Sequence, residues 1–202
     1  MGGLKSHIGQ VNDGKLTFIE APSATHRNGL PLGTRESDGS LWMAASVYSS
    51  SSTSVRLMDQ LALRLGQNGQ AQEIQGCGWP MLVDESGKVW LGRTLQSPQN
   101  KLVLWRGGKI VQRLEVPGTS CVHSLFSDKP GSVFAWSTMG LIHLKSEGDS
   151  GYRVAKTYIL PEAVGLSGFH YPIYSKLGYV VANTSGGTPS DPRITLFRIP
   201  KE

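Results

Sequence analysis

Five histidines, two cysteines and three aspartates beside turn glycines are the residues of this 202-residue chain whose types could support chemistry. The histidines are His7, His26, His123, His143 and His170. No two have the i, i+4 spacing with which a helix offers a metal two imidazoles, so ordinary, partly buried rings are expected and no metal site. Asp84 and Asp128 stand three residues before Gly87 and Gly131, whereas Asp38 adjoins Gly39. Two carboxylates facing each other across a pocket would suit glycoside hydrolysis. Asp next to Gly is also what a tight turn demands, because the carboxylate accepts local backbone N–H groups; the turn reading is preferred. The serine-rich stretches offer hydroxyls without a nucleophile elbow. Gly107-Gly108 and Gly186-Gly187 are isolated pairs, not phosphate-cradling loops. No catalytic residue and no cofactor are therefore expected.

The remaining chemistry is thiol and aromatic. Cys77 and Cys121 are 44 residues apart and sit at similar places before successive turns. Equivalent positions in neighbouring units can lie beyond disulfide reach, so two free, mostly buried thiols are the plainer expectation. Trp42, Trp90, Phe134 and Tyr179 recur at intervals of 48, 44 and 45 residues, each on an apolar stretch just after a turn. Gly39, Gly87 and Gly131 mark the first three of those turns. Residues that every unit repeats are expected to pack rather than to bind. Trp79, Trp105, Trp136 and Tyr171 share no such position and are the better ligand candidates.

The elements that must position these residues are short strands. Glycine contributes 25 residues and charged residues only 17 %, a composition that suits many strands joined by turns. The spread of valine, leucine and isoleucine with low charge argues against disorder. The formal net charge is +5, but the basic residues are scattered singly. A nucleic-acid binder concentrates them on one face or run, so nucleic acid is not an expected partner. The start MGGLKSHIGQ leads into no apolar run of signal-peptide length, and no stretch is long and apolar enough for a membrane helix.

Asn12-Asp13-Gly14 between two apolar stretches predicts a hairpin near the N-terminus. Residues 21–35, rich in proline, glycine and small polar side chains, read as a connector. The stretch around Met58 allows a short helical turn, with a strand preferred over 61–65. The phrase SDGSLWMAAS, its counterparts DESGKVWLGRT and KPGSVFAWST, and the weaker YSKLGYVVANT then divide the chain into units of approximately 36–77, 78–118, 121–162 and 168–199, with 4–20 as a partial unit. Four-stranded meanders at this period predict an all-β fold, a small β-propeller of about four to five blades. The last unit lacks a fourth strand. A strand from the N-terminus could close the ring, several chains could share one, or the chain could be a fragment of a longer array.

The pattern formed by Asp84, Gly87, Trp90, Leu91, Gly92 and Thr94 resembles the blade signature of the sensor-domain propellers of hybrid two-component regulators. Gly131, Thr138, Gly140 and Leu141 match the same signature with Phe134 in place of tryptophan, and Asp38, Gly39 and Trp42 keep its first part. Asn28-Gly29-Leu30-Pro31 is similar to the linker before such a blade. The resemblance implies a periplasmic or extracellular protein, and no kinase or DNA-binding part accompanies it here. In such a propeller the first strand of each blade lines a central channel. His123 and His170, with Trp79, would then share a channel site. The loops Tyr48–Ser54, Leu95–Asn100 and Ser185–Pro192 would emerge together on one face. The resulting expectation is a non-catalytic binding module for a small molecule, glycan or protein, acting through the loop face or the channel. A propeller carbohydrate hydrolase or lyase and a self-assembling structural unit are the alternatives.

Overall fold

The computed structural model describes residues 7–12, 15–20, 26–36, 38–50, 55–68, 70–92, 100–119, 121–159, 173–175, 179–185 and 192–198. Among the described residues, apart from one 3-10 turn, Gly148–Ser150, the regular elements are all strands. They run β1 (His7–Asn12), β2 (Lys15–Glu20), β3 (His26–Arg35), β4 (Leu41–Ser50), β5 (Val55–Leu65), β6 (Ala71–Ile74), β7 (Trp79–Val83), β8 (Val89–Gly92) and β9 (Lys101–Arg106). Then come β10 (Lys109–Glu115), β11 (Val122–Lys129), β12 (Ser132–Ser137), β13 (Gly140–Ser146), β14 (Tyr152–Ile159), β15 (Ile173–Ser175), β16 (Tyr179–Ser185) and β17 (Pro192–Arg198).

These strands form five separate antiparallel sheets: β1-β2, β3-β4-β5-β6, β7-β8-β9-β10, β11-β12-β13-β14 and β15-β16-β17. The N-terminal hairpin is present as expected, with Asn12 opposite Lys15. Two local expectations change. β5 is extended from Val55 onward, so there is no helical turn at Met58. The supposed connector contains β3, including Asn28-Gly29-Leu30-Pro31. Proline is tolerated there because β3 is an edge strand whose register shifts on both sides of the Leu30–Pro31 pair.

The architecture itself requires a correction. None of the sheets closes or curls, and among the described residues there is no radial ring of blades and no central channel. The four-to-five-bladed propeller, the sensor-domain likeness and a ring completed by strand exchange or by other chains are thus not what this fold is. The physical reason lies in what a sequence period encodes. A turn glycine followed by an alternating apolar strand specifies a local meander, whereas closure depends on how whole sheets pack against one another.

That packing is face to face. β8 and β9 alternate their apolar side chains between two cores, as the pleat requires. Trp90, Leu102 and Leu104 point to one side, where Val122, Val133, Ala135, Ile142, Leu144 and Tyr152 of the next sheet complete the core. Val89, Leu91, Val103 and Trp105 point to the other, against Trp42, Ala62, Ile74 and Cys77. The far side of β4 and β5 buries Met43, Ala45, Leu61, Leu63 and Leu65. Each fully buried Val, Leu, Ile or Met among them contributes about 1.5–3 kcal/mol by leaving water. Strand β7 touches β3, β4, β5 and β11. On the opposite side of their sheets, β10 and β14 are outer edges.

Candidate anion-binding site

Of the aromatics that recur in the sequence, Trp42 and Trp90 lie inside these cores and Phe134 is buried. Trp42 and Trp90 have no exposed surface and Phe134 is 2 % exposed. Trp90 meets Tyr152 edge-on with ring centroids 4.9 Å apart. Tyr179 begins β16. Gly39, Gly87 and Gly131 all have positive φ, a conformation that a Cβ resists. Of the ligand candidates, Trp105 is buried edge-on against Trp42, at 6.2 Å between centroids. Trp136 is buried on β12. Trp79 is half-buried, and its Nε1 donates to the Ala45 carbonyl at 3.3 Å. His123 is half-buried, with Nδ1 3.7 Å from Cys121 Sγ. His170 and Tyr171 lie outside the described residues. Among the described candidates, Trp105 and Trp136 are thus core side chains rather than surface ones.

Three polar clusters could be mistaken for catalytic ones. Ser132 Oγ and His143 Nε2 are 2.8 Å apart, but both residues are buried and the imidazole stacks on Phe134. Neither Cys77 nor Cys121 is joined in a disulfide among the described residues. Cys77 is buried, which pushes its pKa up despite the Arg113 guanidinium beside it. Asp84 is buried, and all its acceptor capacity is directed inward. Its Oδ1 takes the backbone N–H groups of Ser86 and Lys88 at 2.9 and 3.0 Å and the Ser86 hydroxyl at 2.6 Å. Its Oδ2 takes the Tyr152 hydroxyl at 2.8 Å. Burial and then the Asp84 carboxylate hold the Tyr152 phenol far above its ordinary pKa, so it stays a donor. Among the described residues, no three His, Cys, Asp or Glu side chains gather to hold a metal ion.

Sequence spacing also concealed an equivalence. Gly87 N donates to the Asp84 carbonyl, and Gly39 N donates to that of Glu36, each at 2.9 Å. Glu36, not Asp38, is therefore the counterpart of Asp84. Its carboxylate accepts Trp42 Nε1 at 2.9 Å and Arg64 at 2.8 Å. The three-residue step back from the turn glycine was the signal that could have found it. Asp38 instead accepts the Ser40 N–H, and this bond, with help from Arg64, holds its carboxyl below the usual range.

The accessible chemistry sits at the outer end of the β9–β10 hairpin. Gly107 and Gly108 have φ of 56° and 87°, as a two-residue turn with both central residues left-handed requires. The turn places Arg106 directly opposite Lys109. Cross-strand partners share a face, so two cations point the same way. They line a hollow of about 550 Å³ with Ile110, Val111 and Asp149. Asp149, on the 3-10 turn of the next sheet, is 96 % exposed and accepts Arg106 Nη1 at 2.8 Å. The facing wall is anchored from below: Lys88 Nζ donates to the Gly148 carbonyl at 2.7 Å. Gln112 bonds both backbone groups of Tyr152, at 2.7 and 2.8 Å. The hollow thus combines two fixed strands, two cations and one solvated carboxylate.

No protein-family model matches the chain, and no curated protein matches it. The likeness to hybrid two-component sensors consequently rests on the turn pattern alone, which the separate, open sheets do not bear out. No helix among the described residues is long and apolar enough to cross a membrane.

Proposed function

We propose that this protein is a recognition module for anionic groups and that the Arg106–Lys109 hollow is its binding site. The observation that carries the reading is the charge balance there: two cations opposite one another on a hairpin, faced by a single exposed carboxylate. Like charges directly across a strand pair repel, and one exposed ion pair is worth only about 0–1 kcal/mol. A carboxylate or phosphate entering the hollow gains charge-assisted hydrogen bonds from Arg106 and relieves the repulsion. Asp149 holds Arg106 in place until that group arrives.

Recognition through a central channel or a common loop face falls with the propeller, as do the channel hydrolase and the self-assembling ring. The division into units near 36–77, 78–118, 121–162 and 168–199, with 4–20 as a partial unit, is retained as a proposal about how the chain is built, supported by the meanders β7–β10 and β11–β14. The test is a titration of the protein with inorganic phosphate, followed by backbone amide shifts. Saturable shifts centred on 106–111 and 148–150 are expected. Shifts confined to other residues, or none at all, overturn the reading.

A further inference from the structure

Three residues of β10, an edge strand of its sheet, line the hollow, and we infer that its natural occupant is an acidic, extended segment of another protein that adds to β10 as a further strand. This rests on the anion-site reading and names the partner. Strand β10 pairs only with β9 among the described residues, so one of its backbone edges has no strand beside it. Lys109, Ile110, Arg113 and Glu115 are exposed along it. An open edge invites any strand, and proteins defend such edges with charges and bulges. β10 has both, a register shift between Ile110 and Gln112 and two cations, Lys109 and Arg113.

The defence is selective. Lys109 shares the face of Arg106, Leu104 and Leu102, whereas Arg113 lies opposite Val103 and faces the other way. The bulge is what puts these two cations, four positions apart, on opposite faces. A neutral or basic strand meets repulsion or an unpaired cation on each side. A strand with acidic residues at an odd spacing meets both cations while its main chain completes the ladder, which supplies affinity through backbone bonds and specificity through side chains. A second copy of this chain is a poor occupant, because the formal net charge of +5 opposes self-association.

The experiment is hydrogen–deuterium exchange of the full chain with a short extended peptide rich in Glu and Val. Its controls are the peptide with Lys for Glu, a backbone N-methylated copy, an oligonucleotide and inorganic phosphate. The acidic peptide is expected to slow exchange within 109–115, and the two altered peptides are expected not to. Arg106→Ala should weaken binding about tenfold, whereas Lys156→Ala, on the other outer strand, should not. Phosphate binding at the hollow without peptide protection of β10 overturns the strand-addition inference and leaves the anion site standing. Failure of both phosphate and peptide removes both. Oligonucleotide binding that is tighter than peptide binding and leaves β10 unprotected also overturns the inference.

Discussion

The Tyr152 hydroxyl donates to Asp84 Oδ2 at 2.8 Å, and this bond ties the first residue of β14 to the β7–β8 turn of the preceding sheet. The ring of the same tyrosine packs on Trp90, and Lys88 Nζ sits 5.4 Å from its centroid. One residue therefore joins the hydrophobic core to the polar frame beneath the hollow. Removing the hydroxyl with Tyr152→Phe should cost about 2 kcal/mol, the usual worth of a bond to a charged acceptor. Asp84→Ala should cost more, about 3 kcal/mol, since it strands two backbone N–H groups as well as the phenol. Urea unfolding of the three proteins measures both.

The same pair sets an alkaline limit. Burial and Asp84 raise the folded pKa of Tyr152. An unfolded tyrosine ionises near pH ~10. Above that pH the unfolded state has released a proton that the folded state keeps, so stability falls as pH rises. Below it the contribution is complete. Ultraviolet titration should show one of the six tyrosines ionising last, together with unfolding, and Tyr152→Phe should flatten the alkaline loss of stability.

Glu36 makes the corresponding knot in the preceding sheet. Its carboxylate binds Trp42 Nε1 and Arg64, and the hydrogen bond to Glu36 is the main reason that Arg64 is held more firmly charged. Glu36→Ala should destabilise by about 2 kcal/mol because a buried indole N–H loses its acceptor. Asp38→Ala should cost less, since Asp38 is exposed and its ion pair with Arg64 is screened by solvent.

How much of this was legible in the sequence can be judged from these same residues. Trp42, Trp90 and Phe134 after a turn glycine announced alternating strands, because the period-two pleat and the positive φ of the turn are local demands. The ring expected from their recurrence did not follow, since closure depends on contacts among whole sheets. Proline and glycine disguised β3 as a connector, and only its edge position makes it a strand. The hollow was hidden for a different reason. Arg106 and Lys109 flank Gly107-Gly108, which stood out in the sequence only as an isolated glycine pair, and Asp149, 43 residues away from Arg106, meets it across two sheets that Gln112 and Tyr152 join.

The thiols offer an independent check of the packing. Cys77 is 2 % exposed within a core, whereas Cys121 is only half-buried at the start of its sheet. Under native conditions an aromatic disulfide reagent should label Cys121 first, and Cys77 should react only as the protein unfolds. Cys121→Ser should abolish the native-state reaction, and Cys77→Ser should leave it.

In the proposed site the Arg106–Lys109 pair awaits an anion for which Asp149 is a weak substitute. The direct measurement is the phosphate affinity of the wild type, Arg106→Ala and Asp149→Asn, taken from amide shifts at one ionic strength. Opposite effects are expected: Arg106→Ala weakens binding about tenfold, and Asp149→Asn tightens it about threefold by removing the competing carboxylate. Equal affinities for the three proteins, or a loss of binding in Asp149→Asn, would contradict the proposed site.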